Sequence, residues 1–523
     1  MLFSFYLLNK KTINIKGYIS VMDKKNSDNK LNEQQVPPED IFAQRMGKVN
    51  EIIQKGQKPF GNAYPGTVLV DEVRGKYDEE SEEPQYAKIA GRITAFRVMG
   101  KSIFADIRDS SGRMQIYVRK NDMLEEEFAS FKKLDIGDIV GIEGTLFITR
   151  MGELTIKVSS YQLLSKSLRP LPEKWHGLTD KEQIYRQRYL DLIVNEESRN
   201  VFQKRFKIIR EIRKFLENQG FLEVETPMLQ PIAGGAAAKP FETYYEALHT
   251  KMYMRIAPEL YLKRLLVGGF EKIFELNRNF RNEGMSRRHN PEFTMIEIYQ
   301  AYGNCNTMMD LVEELITTVA MNVFGTLEIK HSEDKTINLT RPWRRVSYSD
   351  LVCEKAGNDW FEISFEERVT RAVDMGLKVD KNTPDFEVTN EVYEKLIEST
   401  LLQPTFVTRL PVQLVPLAKT CDDDPRFVDV FELEINGQEI APGYSELNDP
   451  IEQRKRFEDQ LKERGSDAEL SDVIDEDFLT ALEHAMPPAG GMGIGIDRLV
   501  MMLTGAESIR DVVLFPQLRP KKQ

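Results

Sequence analysis

The chain has 523 residues, of which 41% are hydrophobic, and a formal net charge of −12. This length allows roughly two to four domains with apolar cores. The acidity argues against a protein that coats nucleic acid nonspecifically, because such binding depends on neutralising many phosphates. The three cysteines lie far apart and only five histidines are present, which predicts neither a disulfide framework nor zinc. We expect a protein of the reducing cytoplasm without membrane association.

The amino-terminal segment is apolar only over Met1–Leu8, far short of the roughly 20 residues of a membrane-spanning helix. No small-residue cleavage site follows, so the segment is not interpreted as a signal peptide. Met22 opens a strongly polar stretch, and residues 1–21 are interpreted as an upstream extension. The polar tail leads to an amphipathic helix predicted over Pro38–Ile53, with Asp40 as its N-cap.

From about residue 87 the hydrophobic period changes to two, with turns such as Asp109–Gly112 between the runs. Five short strands of this kind favour a small closed barrel. A proline-rich join then ends the block. These features predict a tail and helix over 1–64, a barrel domain over 65–170 and a linker over 171–195. The predicted strands are Ala87–Ile93, Ser102–Ile107, Met114–Val118, Ile139–Gly144 and Leu154–Val158.

A second amphipathic helix is predicted over about Ser198–Gln219, ended by Gly220 and followed at once by a strand, Phe221–Pro227. Residues 196–523 are predicted to form the larger domain. The mainly helical range 303–425 within it is interpreted as an insertion. The apolar face of the predicted helix consists of Val201, Phe202, Phe206, Ile209, Ile212, Phe215 and Leu216.

An arginine-rich loop lies between two strand-like ends in the segment Arg278–Tyr299. It contains three arginines, a histidine and a glycine. Guanidinium groups match phosphate oxygens bidentately and keep their charge, so the loop favours phosphate recognition. An ordinary solvated hairpin is the alternative, and the loop alone leaves both open.

A glycine-rich segment, Gly490–Val500, carries four glycines and leads into an apolar helix. Glycines let the backbone approach a ligand closely. Tight packing of helix on sheet is the alternative, and no dinucleotide-type βαβ unit precedes the segment.

A cluster of carboxylates surrounds a predicted hairpin turn at Asn436–Gly437. Glu432 and Glu434 share one face of their strand, and Glu439 across the hairpin could complete a pair suited to Mg²⁺. Solvated strand charges are the alternative.

These segments occur in an order that resembles motifs 1, 2 and 3 of the class II aminoacyl-tRNA synthetases. The helix with Pro227 corresponds to motif 1, the arginine loop to motif 2, and the carboxylate hairpin followed by Gly-Ile-Asp-Arg to motif 3. The barrel resembles the anticodon-binding OB-fold of the aspartyl, asparaginyl and lysyl subgroup. Within that subgroup, Ala233–Phe241, Met254–Tyr261 and Glu446–Asp449 resemble the lysyl members.

The resemblance covers about residues 65–523 and implies an α+β chain. In such a chain an N-terminal OB-fold β-barrel precedes a class II catalytic domain, which is an antiparallel sheet flanked by helices. The implied reaction is ATP-dependent attachment of lysine to tRNA(Lys) through a lysyl-adenylate, with Mg²⁺ as cofactor. Motif 1 implies a homodimer.

The same resemblance assigns roles to individual residues. Arg281 and Arg498 are implied as catalytic, with Arg281 bridging the lysine carboxylate and the α-phosphate. The residues implied for ATP are Arg281, Glu283, Arg288, His289, Asn290, Phe293, Glu432, Glu439 and Arg498. Those implied for lysine are Gly235, Glu259, Arg281, Glu297, Tyr299, Tyr444, Glu446 and Gly493. Those implied for Mg²⁺ are Glu432, Glu439 and Glu446. Those implied for the central anticodon uridine are Phe104, Gln115 and Glu153.

The chemistry of the residues supports the lysine pocket in part. Glu297 and Tyr299 alternate with Ile296 and Ile298, so both point to one face of a strand. A buried ammonium has three donors and needs acceptors, which these two side chains can provide. A half-buried strand aromatic is the alternative for Tyr299 alone.

One position departs from the pattern of the lysyl family, which usually has asparagine where this chain has Pro442. In the family that asparagine contacts the substrate carboxylate, and proline cannot make the contact. The carboxylate is therefore expected to depend more fully on Arg281, or on water.

In the barrel, Phe104 could equally belong to the core. Residues 88–157 contain 12 Lys or Arg against 10 Asp or Glu. This slightly basic block supports a local tRNA site, and OB-folds bind single strands by aromatic stacking.

Three other functions stay open. A synthetase for aspartate or asparagine would share the architecture, but Glu297 argues against an aspartate pocket and the Gln-Ser-Pro-Gln loop expected near residue 233 is missing. A lysine ligase that modifies a translation factor would resemble only the catalytic half, so the barrel argues against it. A catalytically silent RNA-binding or scaffold protein should lose motif arginines, yet Arg281 and Arg498 are present.

Overall fold

The structure, a computed structural model, describes residues 37–172, 178, 180–236, 238–415, 418–464 and 474–520. The interpretation of residues 1–21 as an extension falls outside these residues. The chain divides into two compact units, residues 1–173 and 174–523. Within the described ranges, no helix has both the length and the apolar character needed to cross a membrane.

The first unit contains a closed five-stranded barrel with the strand order β1-β2-β3-β5-β4. The period of two directs alternate residues such as Ile103, Ala105 and Ile107 into the barrel core. All five predicted strands are present, and the last two run four and seven residues past their predicted ends. The elements are α1 Pro38–Gln54, α2 Val70–Lys76, β1 Tyr86–Met99, β2 Ser102–Arg108, β3 Arg113–Arg119, α3 Glu125–Phe131, β4 Ile139–Ile148 and β5 Leu154–Ser165.

The predicted N-cap of α1 was wrong. Pro37 holds the N-cap position, and Asp40 lies in the first turn. Proline is well suited to the first helical position because its missing N–H would have no partner there. The Pro37-Pro38 pair therefore begins the helix, and the Asp40 carboxylate only supports the helix dipole.

A buried ion cluster lies beside the barrel. The Lys166 ammonium donates to Asp138 Oδ2 at 2.7 Å and also to Asp135. All three side chains are buried. Because the carboxylates offset the charge of the lysine, this cluster is a structural element of the first unit.

The helices and strands of the second unit follow in chain order. Its helices are α4 Lys181–Arg186, α5 Arg188–Val194, α6 Glu196–Asn218, α7 Glu259–Val267, α8 Cys305–Phe324, α9 Tyr348–Ala356, α10 Phe365–Asp374, α11 Asp385–Leu396, α12 Pro450–Arg464, α13 Glu476–Glu483, α14 Ile496–Thr504 and α15 Ile509–Val512. Its strands are β6 Leu222–Glu223, β7 Leu229–Gln230, β8 Glu242–Tyr245, β9 Thr250–Met254, β10 Lys272–Phe280, β11 Glu292–Ala301, β12 Glu328–Ser332, β13 Lys335–Asn338, β14 Arg344–Ser347, β15 Thr405–Thr408, β16 Val430–Glu434, β17 Glu439–Ser445 and β18 Ala489–Gly495.

The centre of this unit is an eight-stranded sheet in the order β14-β15-β16-β17-β18-β11-β10-β6. Its inner pairs are antiparallel, and only the two edge pairs, β14–β15 and β10–β6, are parallel. One face packs against α6, α8 and α14 through a large apolar cluster that includes Phe274, Ile296, Leu433 and Ile494. The α+β fold predicted from the motifs, a barrel and then an antiparallel sheet flanked by helices, is confirmed.

Helix α6 begins after Asn195, whose side chain accepts a hydrogen bond from the backbone N–H of Glu197. Its predicted ends are correct within two residues, but the prediction that Phe206 is buried was wrong, because 53% of this residue is exposed. The buried stripe runs through Arg205, Ile208 and Ile212. Each helical residue turns roughly 100° from the last, which takes Phe206 off that stripe.

The strand predicted after this helix is much shorter than expected. Only β6, two residues long, pairs with the sheet. The range 303–425 contributes α8 to the main core and β14 and β15 to the sheet. It also holds a separate apolar cluster around Trp360. The predicted domain limits and the insertion remain predictions.

Candidate active site

Three of the side chains predicted to bind ATP or lysine share one face of strand β11. Strand β11 directs Ile296 and Ile298 into the apolar core. Its alternate residues Phe293, Glu297 and Tyr299 therefore lie on the opposite face. That face is the candidate active site.

Glycines of β18 leave space on this face. Gly493 lies opposite Glu297 in the strand register, and Gly491 lies opposite Tyr299. A Cβ atom at Gly491 would lie 1.9 Å from Oε1 of Glu446, so any side chain there would displace the carboxylate. The close packing of Glu446 and the Tyr299 ring against this strand therefore accounts for the glycine.

A cavity opens on the same face where β17 and β18 separate. The paired register of these strands covers Gly443–Ser445 but not Pro442. The predicted ATP-binding residues that line the cavity are Arg281, Glu283, Arg288, His289, Asn290, Phe293, Glu439 and Arg498. Glu432 is not among the lining residues, and it lies opposite Pro442 in the β16–β17 register. Gly493 and Pro442 also line the cavity.

Arg281 lines this cavity and has one buried hydrogen-bond donor without a partner among the described residues. Its guanidinium lies 5.2 Å from the centre of the Phe293 ring, and its Nε atom is buried without a hydrogen-bond partner. Its backbone N–H donates to the Pro291 carbonyl at 2.9 Å, which fixes the start of the loop. A buried donor without an acceptor costs free energy, so this guanidinium is suited to an anionic ligand.

Arg498 and His289 lie together on the other side of the cavity. Arg498 donates from Nη1 to the Glu439 carbonyl at 3.0 Å, and its Nη2 lies 3.1 Å from His289 Nε2. Burial and the charge of Arg498 lower the pKa of His289. Because an arginine can only donate, Nε2 of a neutral His289 accepts this hydrogen bond. Nδ1 of His289 then carries the proton and donates to the Ser286 hydroxyl oxygen at 2.8 Å.

A bridge centred on Asp497 escaped the sequence prediction. Its Oδ2 accepts from the Thr294 backbone N–H at 2.8 Å, and its Oδ1 accepts from Arg205 Nη1 at 2.6 Å. The contacts join the start of α14 to β11 and α6. They hold the neighbouring Arg498 in place, and the only signal for them was the Asp in Gly-Ile-Asp-Arg.

The carboxylate hairpin has the predicted turn, since Asn436 and Gly437 adopt φ values of +64° and +65°. Burial and the charge of Glu439 raise the pKa of Glu432 to about 8. Burial and the charge of Glu432 raise the pKa of Glu434 to about 9, and its Oε2 is buried without a partner. The hairpin thus concentrates negative charge that a cation would relieve.

The chemistry of this hairpin fits Mg²⁺. Magnesium is usually held by one or two carboxylates together with substrate phosphates, not by an all-protein cage. In the described part of the chain, no three or more His, Cys, Asp or Glu side chains form a metal-binding group. A pair of carboxylates beside a cavity lined by arginines agrees with binding of magnesium by one or two carboxylates together with substrate phosphates.

The predicted lysine-binding side chains meet beside this cavity. The Tyr299 hydroxyl donates to Glu297 Oε2 at 3.1 Å, and both residues are buried. Burial and the charge of Glu259 raise the pKa of Glu297 well above its usual value. Gly235 adopts φ +84° and lies against the side chain of Glu259, and Tyr444 is influenced electrostatically by Glu259 as well.

Lys263 is a pocket residue that the sequence analysis missed. Its ammonium donates to Glu259 Oε1 at 2.7 Å and lies 2.6 Å from Glu446 Oε2. The i,i+4 spacing of Glu259 and Lys263 on a helix was an available signal for the first contact. The contact with Glu446 had no local signal.

Comparison with known proteins agrees with this geometry. Residues 180–519 match the family described as tRNA synthetases class II (D, K and N), and residues 87–164 match the OB-fold nucleic acid binding domain. The lysine–tRNA ligase of Carboxydothermus hydrogenoformans is 52% identical over 478 residues, or 91% of this chain and 97% of that protein. That of Staphylococcus haemolyticus is 49% identical over 486 residues, or 91% of this chain and 98% of that protein.

The chain belongs to the class II lysyl-tRNA synthetase family. The identity of about 50% to lysine–tRNA ligases over 91% of the chain supports the lysyl assignment against an aspartyl or asparaginyl enzyme. The match over both the barrel and the catalytic unit disfavours a barrel-free protein ligase.

In the barrel, two of the three predicted anticodon residues are in contact. Gln115 Nε2 donates to Glu153 Oε2 at 2.8 Å. Phe104 is half-buried and lies outside the buried barrel cluster, so it is not a core residue. Its ring lies 4.9 Å from that of Tyr117, and Phe147 continues the row at 6.0 Å. The sequence analysis missed these last two aromatic residues.

Proposed function

We propose that this chain joins lysine to ATP as lysyl-adenylate and transfers the lysyl group to tRNA(Lys), with Arg281 as the main catalytic residue. The observation that carries the proposal is the buried, unpartnered Nε of Arg281 at a cavity lined by other phosphate-binding side chains. The family relationship supports the substrates.

The first step requires no general base. The lysine carboxylate is ionised at pH 7, and its oxygen attacks the α-phosphate while diphosphate leaves with the bond electrons. Catalysis is then a matter of positioning and of stabilising the negative charge that builds up. Arg281 would contact the carboxylate and the α-phosphate together, because it lines the cavity and has an unpaired buried donor.

The other cavity residues would bind the rest of the nucleotide. Arg288, His289 and Arg498 supply donors and positive charge for the β- and γ-phosphates. Phe293 would stack on adenine, with its ring already beside a guanidinium. The remaining nucleotide contacts are proposed for Glu283 and Asn290.

We propose that Glu432 and Glu439 hold Mg²⁺, whose charge would offset that of the phosphates. Of the two roles predicted for Glu446, we propose lysine binding. The ammonium of Lys263 already lies 2.6 Å from its Oε2 and would repel a divalent cation.

The lysine side chain would lie along the glycine-lined face. Glu297 and Tyr299 would accept from the ε-ammonium, and Glu259 with backbone near Gly235 would accept from the α-ammonium. Further residues of the proposed lysine pocket are Glu446, Tyr444 and Gly493.

The protein is also proposed to act as a homodimer. Six large apolar side chains between residues 206 and 248 are each about half exposed, although such residues are usually buried. These residues, with exposures of 49–66%, are Phe206, Leu222, Leu229, Tyr244, Tyr245 and Leu248. A second copy of the chain would cover them. The three free cysteines fit the predicted cytoplasm.

The proposal is tested by ATP–diphosphate exchange with purified wild-type protein. Lysine should support exchange, whereas aspartate and asparagine should not. Exchange that depends on aspartate or asparagine, or no exchange with lysine, would contradict the proposed substrate.

A barrel variant separates tRNA recognition from lysine activation. Phe104→Ala is expected to lower kcat/KM for tRNA charging about 10- to 100-fold, since stacking of one base contributes roughly 1–3 kcal/mol. Diphosphate exchange should stay unchanged because it needs no tRNA. The matched control is Tyr86→Ala, an exposed aromatic on the same barrel. Equal losses in both variants would argue against a specific base contact.

A further inference from the structure

The lysine pocket contains a protein lysine between two of the carboxylates proposed to bind substrate. Lys263 extends from α7 and is 1% exposed. Its ammonium reaches Glu259 Oε1 at 2.7 Å and Glu446 Oε2 at 2.6 Å. A lysine is seldom buried so fully unless its charge is paired, and two carboxylates are more than pairing alone requires.

The charged form of Lys263 is the form that fits these contacts. Burial by itself lowers the pKa of this ammonium, but the charges of Glu259 and Glu446 more than offset that effect and raise the pKa above its usual value. The group is therefore a fixed cation within the pocket.

The pocket as a whole has more carboxylates than cations. Two cations face them: Arg255 donates to one carboxylate, Glu275, at 2.5 Å, and Lys263 is shared by two. When all four carboxylates are ionised, two negative charges are left over, and they match the two ammonium groups of a lysine substrate. The four carboxylates are Glu297 and the three that raise its pKa by their charge, Glu259, Glu446 and Glu275.

The geometry also leaves acceptors free for the substrate. Lys263 engages Oε2 of Glu446, whereas Oε1 is buried without a partner. That free oxygen points to the glycine-lined face, since a Cβ atom at Gly491 would collide with it. Lys263 thus holds each carboxylate by one oxygen and leaves the other oxygen to the pocket.

Resting on the proposed function, we infer that Lys263 is a specificity-determining positioning residue. It holds Glu259 and Glu446 together and sets the free negative charge of the pocket to match an amino acid with two ammonium groups. Without it, two adjacent buried carboxylates would repel one another, and at least one would move away from the substrate.

The test uses Lys263→Met in the full-length protein, which keeps the length of the side chain but removes its charge. The KM for lysine in diphosphate exchange should rise at least 30-fold. The KM for ATP should change less than threefold, because Lys263 does not line the nucleotide cavity. Lys263→Arg, which restores a cation, should recover part of the lost affinity for lysine.

The matched control is Lys166→Met, which removes another buried lysine that bridges two carboxylates, in the barrel unit. It should lower thermal stability and leave the KM for lysine unchanged. If Lys263→Met does not fold, Lys263→Gln replaces it with the same expected result. Lysine KM within threefold of wild type in the folded variant would overturn the inference. Absence of lysine-dependent exchange in wild type would instead overturn the proposed function.

Discussion

Replacing Arg281 with alanine is expected to reduce lysine-dependent diphosphate exchange about 10³-fold. Removing a single donor to a developing negative charge typically costs 10²–10³ in rate, and Arg281 is proposed to contact both reacting groups. Its buried Nε has no partner among the residues that the structure describes, so the loss should fall on kcat/KM and not on thermal stability. Exchange and thermal unfolding measured on the same sample would show this division.

The matched control for Arg281 is Arg278→Ala. Arg278 precedes the same loop, but its side chain is 42% exposed and pairs with Glu292 at 3.0 Å. Surface pairs of this kind contribute little, so exchange should stay within threefold of wild type. Near-wild-type exchange by the Arg281 variant itself would refute the proposed mechanism.

Pro442 gives the Arg281 prediction a second test. Proline lines the cavity where the family usually has an asparagine that contacts the substrate carboxylate. If Arg281 compensates for that loss, the Arg281→Ala change should cost about tenfold less in a Pro442→Asn background. An equal loss in both backgrounds would show that the carboxylate does not depend on position 442.

Replacing Glu297 with glutamine is expected to lower kcat/KM for lysine about 10²- to 10³-fold. Removing one partner of a buried ion pair costs roughly 3–5 kcal/mol because it leaves the other charge uncompensated. The protein without substrate should not lose stability. Burial raises the pKa of Glu297 well above its usual value, so a neutral amide of the same shape relieves an unfavourable charge.

A loss of activity without a loss of stability distinguishes a binding residue from a structural one. Lysine-dependent exchange gives the first quantity and thermal unfolding gives the second. Glu292→Gln is the control, since Glu292 lies on the same strand but is about 40% exposed. A Glu297 variant that loses stability and activity together, or retains wild-type kcat/KM, would contradict the proposed role.

Predictions from the sequence were confirmed where the spacing of apolar residues or a single turn sequence determined the local structure. Alternation of apolar residues predicted the five barrel strands, and Asn436–Gly437 predicted the hairpin turn. Predictions that needed the packing partner failed. Asp40 is not the N-cap of α1, and Phe206 is exposed, because the centre of the buried stripe depends on what α6 packs against.

The sequence by itself determined that Glu297 and Tyr299 share a strand face, because strand periodicity is a local property. Its motifs also identified Arg281, but not the fact that its Nε lacks a partner. Only the tertiary structure decided the contact between Lys263 and Glu446, which belong to α7 and to the segment after β17. Contacts between residues so far apart in the sequence depend on how helices and strands pack. The charge balance of the lysine pocket and its free acceptor therefore depend on the tertiary structure as well.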